Sequence, residues 1–164
     1  MFEIGDYVLN ATNGICKISE IVELDMSGDK QLKSYFLLRP VEEKNDRVYI
    51  PVDNADKRIR KVITQDEAQA VLDRVPEIEA LAINNEKERE TRYKEAVRSC
   101  EPDSVISLLK CLHIRNEQRA QAGKKSTAVD ERYGKMAEHN LNAELAFVLE
   151  KDKQEIKDII HDML

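Results

Sequence analysis

A change of hydrophobic period near residue 63 constrains this chain more than any single residue. Before it, apolar residues come in short runs: Tyr7-Val8-Leu9, an alternating stretch from Ile15 to Met26, Tyr35-Phe36-Leu37-Leu38 and Val48-Tyr49-Ile50. After it, from Thr64 to Leu164, they recur every three or four residues between polar positions. Short or alternating runs suit strands, whose side chains point to opposite faces in turn, and a period near 3.6 suits helices. The expectation is an α+β chain, with a small β domain over residues 1–63 and an all-helical domain over 64–164.

Punctuation sharpens both halves. Asn13-Gly14 and Ser27-Gly28-Asp29 are hairpin turn signals, because their residues tolerate positive φ. They separate a strand at Tyr7, a long one from Ile15 to Met26 and a third from Gln31 to Leu38, stopped by Pro40. Val48-Tyr49-Ile50 gives a fourth and Arg58 to Ile63 a fifth. Five short strands in a meander predict a small, strongly bent SH3-like barrel. In the long strand the even positions Cys16, Ile18, Val22, Leu24 and Met26 are apolar, interrupted by Glu20, while Ile21 breaks the polar row. In the second half, Thr64-x-x-Glu67 is a capping box, where a hydroxyl and a carboxylate satisfy free helix N–H groups. Pro76 suits the first position of a next helix carrying Ile78 and Leu81. Pro102-Asp103 opens another, closed by Gly123, and Thr127-x-x-Asp130 opens one striped by Leu141, Leu145, Val148 and Leu149. A last helix spans Asp152 to Leu164.

Charge and chemistry exclude several classes. With 26 Lys+Arg against 32 Asp+Glu, net −6, the chain is not a globally basic nucleic-acid binder. Residues 84–125 alone are net +3, leaving room for a local basic face. Cys16, Cys100 and Cys111 make neither a metal spacing nor an even disulfide set, and reduced cytosol is their natural compartment. Cys111 falls in the apolar pattern of a helix and reads as a small core residue. Glu3 and Asp6 are wrong for a signal peptide, and no apolar run suits a membrane span. His113, His139 and His161 lie far apart, with no set of three or four ligands around them. There is no phosphate-cradling glycine loop and no nucleophile elbow. No enzyme, cofactor or metal role is expected.

Several words in order resemble a known family. They are Phe2-x-x-Gly5-Asp6-Tyr7-Val8, Asn13-Gly14, Tyr35-x-Leu37 and Val48-Tyr49-Ile50-Pro51-x-x-Asn54. Together they are similar to the RNA-polymerase-interacting module of CarD/CdnL-type regulators, a module related to one in the transcription-repair coupling factor. Arg92-Tyr93-Lys94 and Glu144-Leu145-Ala146 extend the resemblance into the helical half. It implies a Tudor/SH3-like barrel that binds the RNA polymerase β subunit by adding an edge strand. It also implies a helical domain that touches promoter DNA and biases open-complex stability, in a cytoplasmic bacterial protein.

Under this resemblance Val22, Leu24 and Met26, with Tyr49 beside them, form the polymerase-binding strand. An exposed edge offers unpaired backbone groups to a partner. Sharing one parity, the same row equally suits an inward-facing barrel wall. For DNA the candidates are Arg89, Arg92 and Lys94 on one helix, with Arg115, Lys124 and Lys125 at the end of the next. Glu86, Glu88, Glu90 and Glu95 interleave with the first group, as on an ordinary solvated face. The chain also departs from its relatives. Many place tryptophan before the Arg-Tyr-Lys word, where Arg89 stands, and this chain has no Trp. Glu131 replaces a cation, and Leu24 and Tyr49 replace arginines of some relatives. These departures suit the alternative of a protein–protein adaptor that makes no DNA contact.

Overall fold

Strands form where the short apolar runs fall: β1 (Tyr7–Asn10), β2 (Gly14–Leu24), β3 (Lys33–Pro40), β4 (Val48–Pro51) and β5 (Ile59–Lys61). The computed structural model describes all 164 residues and divides them into two compact units, Met1–Val62 and Ile63–Leu164. In the first, the strand order is β4-β3-β2-β1-β5 and every pairing is antiparallel. No ladder joins β4 to β5, so the closed barrel expected from the meander is here an open five-stranded sheet. Its end strands have only four and three residues, which leaves few backbone groups to close a ring. The β1–β2 turn is built by Asn10, whose Oδ1 accepts from the N–H groups of Thr12 at 2.9 Å and Asn13 at 3.1 Å. Gly14 then starts β2 at φ 70°, a backbone state a Cβ disfavours.

Val8, Cys16, Ile18, Phe36, Leu38, Ile50 and Ile59 make the core of this unit. Each large side chain so buried contributes roughly 1.5–3 kcal/mol. The register along β2 slips from Ile18↔Leu38 to Glu20↔Leu37, leaving Ser19 as one extra residue. This β-bulge exchanges the faces of everything after it. Ile21, opposite Phe36, therefore returns to the core face, while Val22 and Leu24, opposite Tyr35 and Lys33, turn to the other. The interruption at Glu20 and the exception at Ile21 are the trace of this bulge in the sequence. Val22 and Leu24 thus do not continue the core row of Cys16 and Ile18. The strand also ends at Leu24, not Met26. The carboxylate of Asp25 accepts from the N–H groups of Gly28 at 2.8 Å and Lys30 at 2.9 Å, folding the chain into the turn.

The second unit contains α1 (Gln65–Arg74), α2 (Arg89–Ser99), α3 (Pro102–Gln121), α4 (Ala128–Leu149) and α5 (Lys153–His161). The capping box at α1 is complete: Glu67 N–H donates to Thr64 Oγ1 at 3.1 Å, and Thr64 N–H to Glu67 Oε2 at 3.0 Å. Pro76 does not open a helix. It lies in a single 3-10 turn, Val75–Glu77, and residues 78–84 are irregular. Side chains of α3 hold that segment in place of helical bonds. Lys110 Nζ donates to the carbonyls of Val75 and Ile78, and Ser107 Oγ to Glu79 O at 2.7 Å. Leu81 N–H donates back to Ser107 O at 2.9 Å. Gly123 ends the α3 tail at φ 74°. The core gathers Val71, Tyr93, Ile106, Leu108, Leu145 and Ile156. Leu141 belongs to it as well, while Val148 and Leu149 are half-buried at its margin. Cys111 is also only half-buried; Cys16 and Cys100 are the buried thiols. No helix is long and apolar enough to cross a membrane.

Candidate functional site

The sheet unit presents one assembled surface. On the face away from its core, register aligns Val22, Tyr35 and Pro51 in one row, and Glu20, Leu37 and Tyr49 in the next. Leu24 extends this face toward the β2–β3 turn. Val22, Leu24, Tyr35 and Tyr49 are all half-buried, so each keeps apolar surface available. Three of the four residues expected to bind polymerase (Val22, Leu24 and Tyr49) therefore share a face. Met26 is not among them; it is exposed in the turn beyond the strand.

The edge is equally specific. β1 pairs with β2 only from Gly14 to Lys17, and backbone bonds from Gly5 and Asp6 reach Ile18. From Glu20 to Leu24, β2 pairs with β3 on one side and with no strand on the other. Ile21 remains 50% exposed along this overhang. A run of free backbone groups beside apolar side chains is what β-strand addition requires.

Residues 2–63 match the family model for the CarD-like/TRCF RID domain. The sheet unit is a CarD-like/TRCF RID module. No curated protein matches the chain. A CarD-like module points to a transcription-related protein that interacts with RNA polymerase. The match ends at the seam where the hydrophobic period changes, so the helical unit has to be read from its own geometry.

In the helical unit the six expected phosphate contacts separate into two groups. Arg89 turns inward, its side chain only 15% exposed. Its Nε and Nη2 donate to Glu86 at 2.7 and 2.6 Å, and its Nη1 to Tyr93 Oη at 2.8 Å. Arg115 Nε donates to Asp130 Oδ2 at 2.6 Å, and that carboxylate is 1% exposed. Tyr93 Oη donates to Asp130 Oδ1 at 3.0 Å, closing a chain from Glu86 through Arg89, Tyr93 and Asp130 to Arg115. Both arginines are thus already paired within the unit, Arg89 with the exposed Glu86 and Arg115 with the buried Asp130. The hydrogen bonds from Arg89 hold the Glu86 carboxyl below its usual range. Burial pushes the Tyr93 phenol up to about 12, with Arg89 opposing and Asp130 reinforcing the shift.

The second group stays accessible. Lys94, Lys124 and Lys125 are exposed, and the Lys125 carbonyl is held by Arg119 Nε at 2.8 Å. Arg92 is half-buried beside Glu95 at 3.9 Å. It lines an open groove of about 410 Å3 with Ile78, Leu81, Asp103 and Ser107.

Asp130 is the residue that sequence reasoning undervalued. Its place in a Thr-x-x-Asp pattern marked it as a capping partner. Thr127 Oγ1 does accept from Asp130 N–H at 3.1 Å. The aspartate side chain does not return that bond; it anchors Arg115 and Tyr93 instead. Glu144 is likewise buried, at 1% exposure, and its Oε2 accepts from Ile63 N–H at 3.2 Å. Two of the three histidines meet carboxylates: His113 with Glu117 and His161 with Glu138, both at 3.3 Å.

Proposed function

We propose that this chain is a cytoplasmic bacterial transcription regulator whose CarD-like module docks on the RNA polymerase β subunit. The overhanging edge of β2 supplies backbone pairing, and Val22, Leu24 and Tyr49 supply an apolar contact beside it. The observation that carries the reading is the Ser19 bulge, which turns Val22 and Leu24 away from the core and onto the face of Tyr49. The helical unit then touches promoter DNA through Arg92, Lys94, Lys124 and Lys125 and biases open-complex stability. Such a factor acts by differential binding, because equal affinity for closed and open complexes shifts neither. It works as a binding factor, without catalysis, cofactor or metal.

Replacing Leu24 with Asp and Tyr49 with Ala tests the docking face. The double variant keeps its far-UV circular dichroism and loses roughly tenfold or more in polymerase affinity, as expected for central apolar contacts. Undiminished binding removes this face from the reading. One observation favours the second reading, a polymerase-docking adaptor without DNA contact: Arg89 and Arg115 are already neutralised by Glu86 and Asp130. The salt dependence of promoter-complex binding decides between the two. Each phosphate contact adds close to one unit of slope in log affinity against log salt.

A further inference from the structure

The free edge of β2 is not electrically neutral. Glu20 and Glu23 lie along it, both exposed, and neither carboxylate meets a cation. Their cross-strand neighbours on β3 are Leu37 and Ser34, which carry no charge. Lys33, opposite Leu24 on β3, lies on the far side of β2 from an incoming strand. The pleat places Glu20 on the face of Val22 and Leu24, and Glu23 on the face of Ile21. Residues directly opposed across a ladder share a face, whichever direction the added strand runs. Opposite charges in such pairs stabilise, and like charges destabilise.

We propose that the segment added to this edge is a basic-apolar strand, with Lys or Arg opposite both Glu20 and Glu23. Those two cations are three positions apart and project to opposite faces of the partner strand. Apolar side chains stand between them, opposite Ile21 and Val22. The pattern follows from the order Glu-Ile-Val-Glu-Leu over residues 20–24, read against a period of two. An acidic or uncharged segment leaves both carboxylates uncompensated beside a desolvating strand, which costs affinity. The inference rests on the polymerase reading and adds the chemistry of the strand that polymerase must offer.

The experiment uses the full chain and purified polymerase from its own source, with affinity measured at low and high salt. Wild type binds, and its affinity falls as salt rises. Glu20→Lys with Glu23→Lys weakens binding roughly tenfold or more, because attraction becomes repulsion at both positions. Glu20→Gln with Glu23→Gln weakens it only a few-fold, since repulsion is absent. Both side chains are exposed and unpaired, so the variants keep the wild-type thermal transition. Wild-type binding with an unchanged or tightened Lys variant overturns the basic-strand inference and leaves polymerase docking intact. Absence of wild-type binding overturns polymerase docking, and the inference falls with it.

Discussion

The sheet unit and the helical unit treat their polar groups in opposite ways. Along Glu20–Leu24 the sheet leaves backbone groups and two carboxylates without partners, beside half-buried apolar side chains. The helical unit has the larger number of cations, yet it pairs two of the expected ones with its own Glu86 and Asp130. No buried side-chain nitrogen or oxygen lacks a hydrogen bond in either unit. Charge that satisfies itself inside a fold is structural; groups left open at the surface are what a partner can use. By that measure the sheet is the stronger candidate interface, although the helical unit carries the basic segment.

The contrast breaks most visibly at Asp130. Asp130→Ala removes the buried carboxylate that Arg115 and Tyr93 share and leaves Arg115 only the exposed Glu86 at 3.9 Å, which costs about 3–5 kcal/mol. Urea denaturation followed by far-UV circular dichroism measures it, and a loss under 1 kcal/mol returns Arg115 to the pool of available cations. Tyr93 tests the same network through pH. Its folded pKa of about 12 lies above the ordinary 10. The unfolded chain therefore releases the proton first. Stability from this group is complete below pH 10 and is lost as pH rises from 10 to about 12. The loss amounts to roughly 2 kcal/mol over that window. Tyr93→Phe removes that share of the alkaline slope, and an unaltered slope means the phenol is not held as described.

Smaller effects sharpen the comparison. Thr64→Ala deletes the hydroxyl half of the α1 capping box and costs about 1 kcal/mol in thermal or urea unfolding. Lys124→Glu with Lys125→Glu changes stability by less than about 0.5 kcal/mol, as befits exposed positions. The same variant lowers the salt slope of promoter-complex binding by about one unit per lost phosphate contact. A slope that does not move assigns the helical unit to the adaptor reading.

Much of this was legible in the chain. Turn signals at Asn13-Gly14 and Ser27-Gly28-Asp29 separated the strands, and Thr64-x-x-Glu67 marked the start of α1. Each depends on neighbours within a few residues, so composition carries it. Pro76 misled because the bonds that keep residues 78–84 irregular come from Ser107 and Lys110, far along the chain. Arg89 misled only partly for that reason: its anion Glu86 is three residues away, but its bond to Tyr93 draws it into a longer chain of contacts. Its local surroundings, alternating Glu and Lys, look like any solvated face, while Tyr93 links it to Asp130, 37 residues beyond that tyrosine.

The amino-acid order by itself determined two modules and most of their element types and boundaries, because strand and helix periods are properties of adjacent residues. Tertiary structure decided which way Val22 and Leu24 point, whether the sheet closes and which arginines remain free. The reason is range. A single bulged serine reverses a face only through its register against β3, and the Arg115–Asp130 pair exists only where two helices meet.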